Sequence, residues 1–308
     1  MKKICMFPGQ GSQKIGMGKS FYDNFKTAKE VFEEADSVLN KNLTDIIFND
    51  EQALKNTVNS QPALMVVSYA IFSVLKQEFG VKVSDFSYGI GHSLGEYSAL
   101  TVAEALSFKD ALLLLKTRSE AMESSVPNKA GGMIACIGIS VSDLKKLELG
   151  KVEIANDNSE MQVVLSGMQD DLKLASEILL KNGAKKVIPL DVSGPFHSSY
   201  MTHAYNVLSK ALSSTNVHQP IIPIISNVTA KPVTNPNEIK TLLAEQINHG
   251  VKWRESVESF TDLGIECAIE IGSGKVLSGL VKRINKNVNV YNIETIEDLK
   301  NLKELNII

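Results

Sequence analysis

The feature that most restricts the fold is the pentapeptide Gly91-His92-Ser93-Leu94-Gly95, which fits G-x-S-x-G and lies between a short apolar run and a helical stretch. A turn this tight between strand and helix leaves no room for a Cβ on either side, and it lifts the serine hydroxyl into the open at a helix N-terminus. There the helix dipole and free N–H groups stabilise developing negative charge. The same spacing also serves a serine that merely caps its helix. A dinucleotide turn is a further competitor, because Gly89, Gly91 and Gly95 are close in sequence, but they miss the tighter G-x-G-x-x-G spacing.

The surrounding pattern alternates strand and helix. An apolar run at 4–7, stopped by Pro8-Gly9, predicts a first strand; Phe21, Phe25, Ala28, Phe32, Ala35 and Leu39 form a helical stripe. Pro62 is expected to open a second helix in its first turn, with Val66, Tyr69, Phe72 and Leu75 on its apolar face and Gly80 at its end. A strand at 86–91, the sharp turn, and helices at 96–106 and 109–125 follow, which implies a parallel sheet covered by helices. From Gly131 the order becomes β-α-β-β-α-β, the split βαβ pattern of ferredoxin-like domains, with strands at 133–139, 152–156, 162–166 and 186–190. Beyond Gly194 the α/β rhythm resumes, with strands at 221–226 and 267–271. The expectation is therefore an α/β fold: a larger α/β-hydrolase-like subdomain with a parallel sheet, residues 1–126 and 194–308, interrupted by a small ferredoxin-like subdomain, residues 127–193.

Composition bounds the function classes. The 308 residues include 32 Lys plus Arg and 35 Asp plus Glu, a net charge of -3, so there is no global attraction to nucleic acid or anionic lipid. No apolar stretch is expected to be long enough to span a bilayer, and the short run after Met1 does not read as a signal peptide. Cys5, Cys136 and Cys267 are odd in number and far apart, which suits buried thiols in a reducing cytoplasm. No metal-ligand spacing is present, and the chain is expected to be a monomer without metal or cofactor.

A serine nucleophile needs a base, and the histidines are His92, His197, His203, His218 and His249. His92 adjoins Ser93 and its ring is expected to point away from it. His197 sits in a Gly194-Pro195 turn leading into a helix, where catalytic groups commonly stand, although a surface imidazole fits the same sequence. Arg118 shares a helical face with Leu114, Leu115, Ala121 and Met122, and a guanidinium on an apolar stripe is either a structural ion pair, a snorkelling side chain or a receiver for a substrate carboxylate. Gly272-Ser273-Gly274-Lys275 lacks the upstream glycine and the following Ser or Thr of a phosphate loop. Lys185, Lys186, Lys275, Lys282, Arg283 and Lys286 fit a basic face, although solvated helix surface is the ordinary reading of such a set.

Taken together, Phe7-Pro8-Gly9-Gln10-Gly11-Ser12-Gln13, Gly91-His92-Ser93-Leu94-Gly95-Glu96, Arg118, Gly194-Pro195-Phe196-His197-Ser198, Ser226-Asn227-Val228 and Val251-Lys252-Trp253 occur in the order found in the malonyl-CoA:acyl carrier protein transacylase family. The resemblance runs from Phe7 to about Arg283. It implies transfer of a malonyl group from malonyl-CoA to the phosphopantetheine thiol of acyl carrier protein, a step of fatty acid biosynthesis, with the CoA thioester and phosphopantetheine as substrates rather than cofactors. It further implies Ser93 as nucleophile, His197 as general base, the N–H groups of Gln10 and Leu94 as oxyanion hole, and Arg118 as partner of the malonyl carboxylate. Gln246 would orient the histidine through its backbone carbonyl, with Asn227 close to His197. An acetyl group would then leave the guanidinium buried and unpaired, a penalty of roughly 2–5 kcal/mol. Where the family often has Asn-Pro, this chain has His249-Gly250, which questions the rigidity of that loop. A serine hydrolase or thioesterase would use the same turn but pass the acyl group to water; a non-enzymatic carrier-protein-binding module would not need Ser93 at all.

Overall fold

The computed structural model describes residues 1–308, the side chain of Lys129 excepted. Two sheets organise it. Strands β1 (Lys3–Phe7), β2 (Tyr88–Gly91), β7 (Ile224–Ile225), β8 (Pro232–Val233), β9 (Cys267–Ile271) and β10 (Asn289–Ile293) form one sheet in the order β10-β9-β1-β2-β7-β8. Its strands pair in parallel except β8, which runs antiparallel to β7 at the edge. Strands β3 (Gly131–Ile137), β4 (Glu153–Ser159), β5 (Gln162–Met168) and β6 (Lys186–Pro189) form a separate antiparallel sheet in the order β4-β5-β3-β6. That order, with a single-turn helix at Val141–Leu144 and a longer one at Gln169–Lys181, is the one the β-α-β-β-α-β pattern predicts.

The parallel sheet places the candidate site. Phe7 is in register with Gly91, so the loop leaving β1 and the turn leaving β2 emerge side by side at the carboxyl ends of adjacent central strands, where open α/β sheets bind ligands. The backbone N–H of His92 donates to the Phe7 carbonyl at 3.1 Å and fastens the two loops together.

Local expectations needed correction at three helices. The stripe from Phe21 to Leu39 is broken into Lys19–Asn24 and Lys26–Leu39, because Phe25 is extended (φ -129°) while its N–H still closes the first helix onto the Phe21 carbonyl. Pro62 does not open its helix: Thr57–Phe79 begins five residues earlier, and Pro62 falls where only one intrahelical N–H is forfeited. Gly80 ends it in the left-handed region at φ 70°. This 23-residue helix is also long and apolar enough to cross a membrane by length and composition, contrary to expectation, but 83% of its apolar window is buried within the fold. It is a core helix, packed against Lys26–Leu39 and Phe108–Ser124.

The antiparallel sheet is tied to the rest through β4. The Val251 N–H donates to the Ala155 carbonyl at 2.8 Å and the Asp157 N–H donates to the Val251 carbonyl at 3.0 Å. Arg254 adds a fork onto Asp157, with Nη2 to Oδ2 at 2.8 Å and Nε to Oδ1 at 3.1 Å. The loop that carries His249-Gly250 is therefore pinned rather than loose. A Cβ on Gly250 would lie 2.4 Å from the Ile154 carbonyl oxygen, so the glycine is what lets this loop approach β4.

Candidate active site

Ser93 occupies the left-handed region at φ 53°, a conformation a non-glycine residue adopts only when its surroundings enforce it. The enforcement is visible. A Cβ on Gly91 would fall 1.9 Å from the Gly95 carbonyl carbon, and one on Gly95 would fall 2.2 Å from the Phe7 carbonyl oxygen. Asn227, just beyond β7, braces the turn on both sides: its Oδ1 accepts from the Ser93 N–H at 2.7 Å and its Nδ2 donates to the Gly91 carbonyl at 2.7 Å. The turn therefore presents Ser93 from the head of the helix Gly95–Val102, and the helix's own cap makes no side-chain hydrogen bond.

His197 reaches the serine from the loop beyond β6. Its Nδ1 lies 2.8 Å from the Gln246 carbonyl, which can only accept, so the proton sits on Nδ1 and Nε2 is left free to accept. Ser93 Oγ lies 2.8 Å from that Nε2. Burial, and then the positive charge of Arg118, lower the histidine's pKa to about 3, so the imidazole is neutral at ordinary pH and Nε2 carries a free lone pair. His197 also has a positive φ, 56°, and the Ser166 hydroxyl donates to the adjacent Phe196 carbonyl, which ties this loop to β5.

Arg118 is wholly buried, with 0% exposure, beneath the nucleophile. Its Nη1 donates to Gln61 Oε1 at 2.7 Å, and its Nη2 donates to both Ser93 Oγ and Gln246 Oε1 at 3.0 Å. Its Nε has no acceptor among the described residues, and the guanidinium lies 5.7 Å from the centre of the Tyr97 ring. The arginine is thus neither a snorkelling side chain nor a partner in a direct ion pair. It is a charge held by neutral amides with one face turned to the serine oxygen.

The remaining candidates fall around this centre. The Gln10 and Leu94 N–H groups have no acceptor among the described residues, and the Gln10 side chain donates to Thr57 Oγ1 at 3.3 Å. His92 points away from Ser93, as expected: Nε2 meets Asn158 Oδ1 at 2.9 Å on β4, the ring lies 5.5 Å from Trp253, and burial lowers its pKa. The Asn227 side chain bonds to the backbone of the turn that carries Ser93, the residue that His197 meets. A cavity of about 470 Å³ opens onto Ser93 and His197, with Gln10, Met122, Met133 and Phe196 among its walls and Lys14 and Lys55 among its lining cations.

The family described as the acyl transferase domain matches residues 4–302. The chain belongs to the acyl transferase domain family. This acyl transferase is 44% identical over 318 residues to a malonyl CoA-acyl carrier protein transacylase of Bacillus subtilis (strain 168), covering 99% of each chain. It is 37% identical over 313 residues to that of Staphylococcus aureus (strain MRSA252), covering 98% of this chain and 99% of the other. Among solved structures, an acyl-carrier-protein-S-malonyltransferase from Bartonella henselae superposes with a TM-score of 0.95 at 41% identity, covering 99% of this chain and 100% of that one. A type II PKS malonyl-transacylase in complex with its acyl-carrier protein gives 0.94 at 34% identity, covering 99% of each.

Sequence reasoning passed over three members of the acyl transferase site. Gln61 is one, 1% exposed, and it follows Asn59 and Ser60 in the sequence, so nothing local marks it as buried. The side chain of Gln246 is a second, since only its carbonyl was anticipated. Glu96 is the third: it directly follows the turn, is 2% exposed, and accepts from Gln246 Nε2 at 2.7 Å and from the Asn227 N–H at 3.2 Å.

Proposed function

We propose that this acyl transferase moves a malonyl group from malonyl-CoA to the phosphopantetheine thiol of acyl carrier protein through an ester on Ser93. The observation that carries this reading is the Arg118 guanidinium, fully buried and 3.0 Å from Ser93 Oγ. A carboxylate receiver one short acyl unit from the nucleophile suits a malonyl group and has no counterpart in an acetyl group.

His197 Nε2 takes the Ser93 proton as Oγ attacks the thioester carbonyl, and the Gln10 and Leu94 N–H groups hold the oxyanion. The carbon–sulfur bond breaks, the CoA sulfur takes the proton from His197, and malonyl-serine remains. The carrier's thiol, deprotonated by the same Nε2, then attacks the ester and Ser93 recovers its proton, which makes the kinetics ping-pong. The Gln246 carbonyl holds the Nδ1 proton throughout, standing where other serine enzymes place a carboxylate.

The same proposal assigns residues 1–126 and 194–308 to a catalytic subdomain and 127–193 to an inserted one, a division supported by β3–β6 pairing with one another in a sheet separate from the parallel one. A cytoplasmic setting is supported by three free, buried cysteines, and a monomer by a site assembled within one chain. Intact-protein mass after brief mixing with malonyl-CoA, with acetyl-CoA, and with the Ser93→Ala variant tests the reading. A malonyl adduct absent from the variant and much weaker with acetyl-CoA is expected. Release of free malonate without an adduct would replace it with a hydrolase.

A further inference from the structure

Beneath the serine and the arginine lies a buried carboxylate that the transfer chemistry does not use. Glu96, in the first turn of the helix Gly95–Val102, meets the site only through Gln246 and Asn227. A carboxylate can only accept hydrogen bonds and a guanidinium can only donate them. Gln246, set between the two, is therefore fixed in one orientation: Oε1 accepts from Arg118 Nη2 at 3.0 Å, and Nε2 donates to Glu96 Oε2 at 2.7 Å and to the Ser93 carbonyl at 2.9 Å. Turning the amide over would set donor against donor and acceptor against acceptor. The main chain of the same residue supplies the carbonyl that holds His197 Nδ1 at 2.8 Å. One glutamine thus links carboxylate, guanidinium, nucleophile and base.

We propose that Glu96 is a positioning residue that acts as the counter-charge of Arg118 across the Gln246 amide, holding the guanidinium and the histidine's acceptor in place and moderating the pull on the donor's carboxylate. The proposal rests on the reading of Arg118 given under Proposed function. The geometry separates two effects of Glu96. Its oxygen organises Gln246 and the Asn227 N–H, and its charge offsets that of Arg118, which stands in the same water-excluded space. The charged group acting on it is Arg118, from the helix Phe108–Ser124; Glu96 in turn acts on Tyr97, and Arg118 on His197. Burial also raises the pKa of Glu96 to about 7, so the counter-charge is adjustable near neutral pH.

Two variants divide the effects. Glu96→Gln keeps an amide oxygen for Gln246 and Asn227 but removes the charge, so Arg118 grips the malonyl carboxylate unopposed. Its KM for malonyl-CoA is expected to fall by about tenfold, and its malonyl-over-acetyl ratio in kcat/KM to rise correspondingly, with acylation itself changed only a few-fold. Glu96→Ala removes the oxygen as well, frees the Gln246 amide, and is expected to lower kcat by about 100-fold or more. A merely structural glutamate would lower activity in both variants in step with lost stability and leave the malonyl KM and the donor ratio of Glu96→Gln at wild-type values; that result overturns the proposal. The wild-type donor ratio, measured alongside, separates the two readings: no malonyl preference there refutes the role of Arg118, whereas a clear preference that Glu96→Gln leaves unchanged refutes the role of Glu96 alone.

Discussion

Replacing Arg118 by alanine removes a guanidinium that the protein already satisfies in part. Without substrate, Gln61, Ser93 and Gln246 accept from it at 2.7–3.0 Å, and Glu96 stands behind Gln246. An acetyl donor therefore does not leave the charge bare, as the sequence alone suggested; it leaves it with neutral amides in place of a carboxylate. The difference between donors is then close to the contribution of a hydrogen bond to a charged group, about 1.5–3 kcal/mol, rather than the 2–5 kcal/mol of an unpaired buried charge. At about 1.4 kcal/mol per tenfold, the wild type should prefer malonyl-CoA over acetyl-CoA by about 10- to 150-fold in kcat/KM for acylation. Arg118→Ala should bring that ratio close to one, chiefly by slowing the malonyl reaction. Arg118→Lys should retain only part of it, because a single ammonium nitrogen lacks the planar fork whose two arms reach Gln61 and Gln246. Rapid-quench measurement of acyl-enzyme mass with each donor gives the ratio directly, and thermal unfolding shows whether the variants are folded. Full malonyl preference in a folded Arg118→Ala protein would refute the reasoning.

Further outcomes follow from the same geometry. Because the pKa of His197 is lowered to about 3, the malonyl acylation rate should show no limb from this base between pH 5 and 8; any inflection near pH 7 belongs to Glu96 and should vanish in Glu96→Gln, while an inflection that survives there would assign it to His197. Stability carries the opposite signs. From about pH 4.5 to 7 folded Glu96 keeps a proton that the unfolded chain releases, so its contribution fades as pH rises, and Glu96→Gln should gain stability relative to wild type across that window in denaturant titrations. His197 stays neutral in the folded state but protonates in the unfolded one below about 6.5, so its contribution is lost as pH falls from there towards 3; replacing it by Gln should flatten that acid limb. Gly250→Ala should lower unfolding stability by about 1–3 kcal/mol, because its Cβ meets the Ile154 carbonyl oxygen at 2.4 Å; a neutral effect would show that the loop does not depend on that approach.

Several elements were legible in the sequence because their causes are local. β9 matches the strand expected at 267–271 residue for residue, and the helix Phe108–Ser124 differs by one residue at each end from the stretch predicted by its stripe. The break at Phe25 was not legible, since the apolar spacing continues through it while the backbone turns. Pro62 misled for a related reason: a proline marks the first turns of a helix but not which residue begins it. The loop Gly272-Ser273-Gly274-Lys275, unlike a phosphate loop in spacing, also has N–H groups of its own and of the helix behind it already taken. Glu270 accepts from the Leu277 and Ser278 N–H groups at 3.1 and 2.7 Å, and Glu294 accepts from that of Gly274 at 2.7 Å.

The sequence by itself determined the turn that carries Ser93, the alternation of strands and helices, the order of the inserted β-α-β-β-α-β segment, and the presence of a cation on an apolar helical face. Each rests on steric or periodic rules that act over a few residues. That Gln61 and Gln246 both accept from Arg118, that Asn227 braces the nucleophile's turn, and that Glu96 stands behind them were decided only in three dimensions. Those contacts join residues from 57 to 150 positions apart, and what directs them is the enforced burial of donors and acceptors that must find partners where water is excluded, a condition that no local pattern in the chain records.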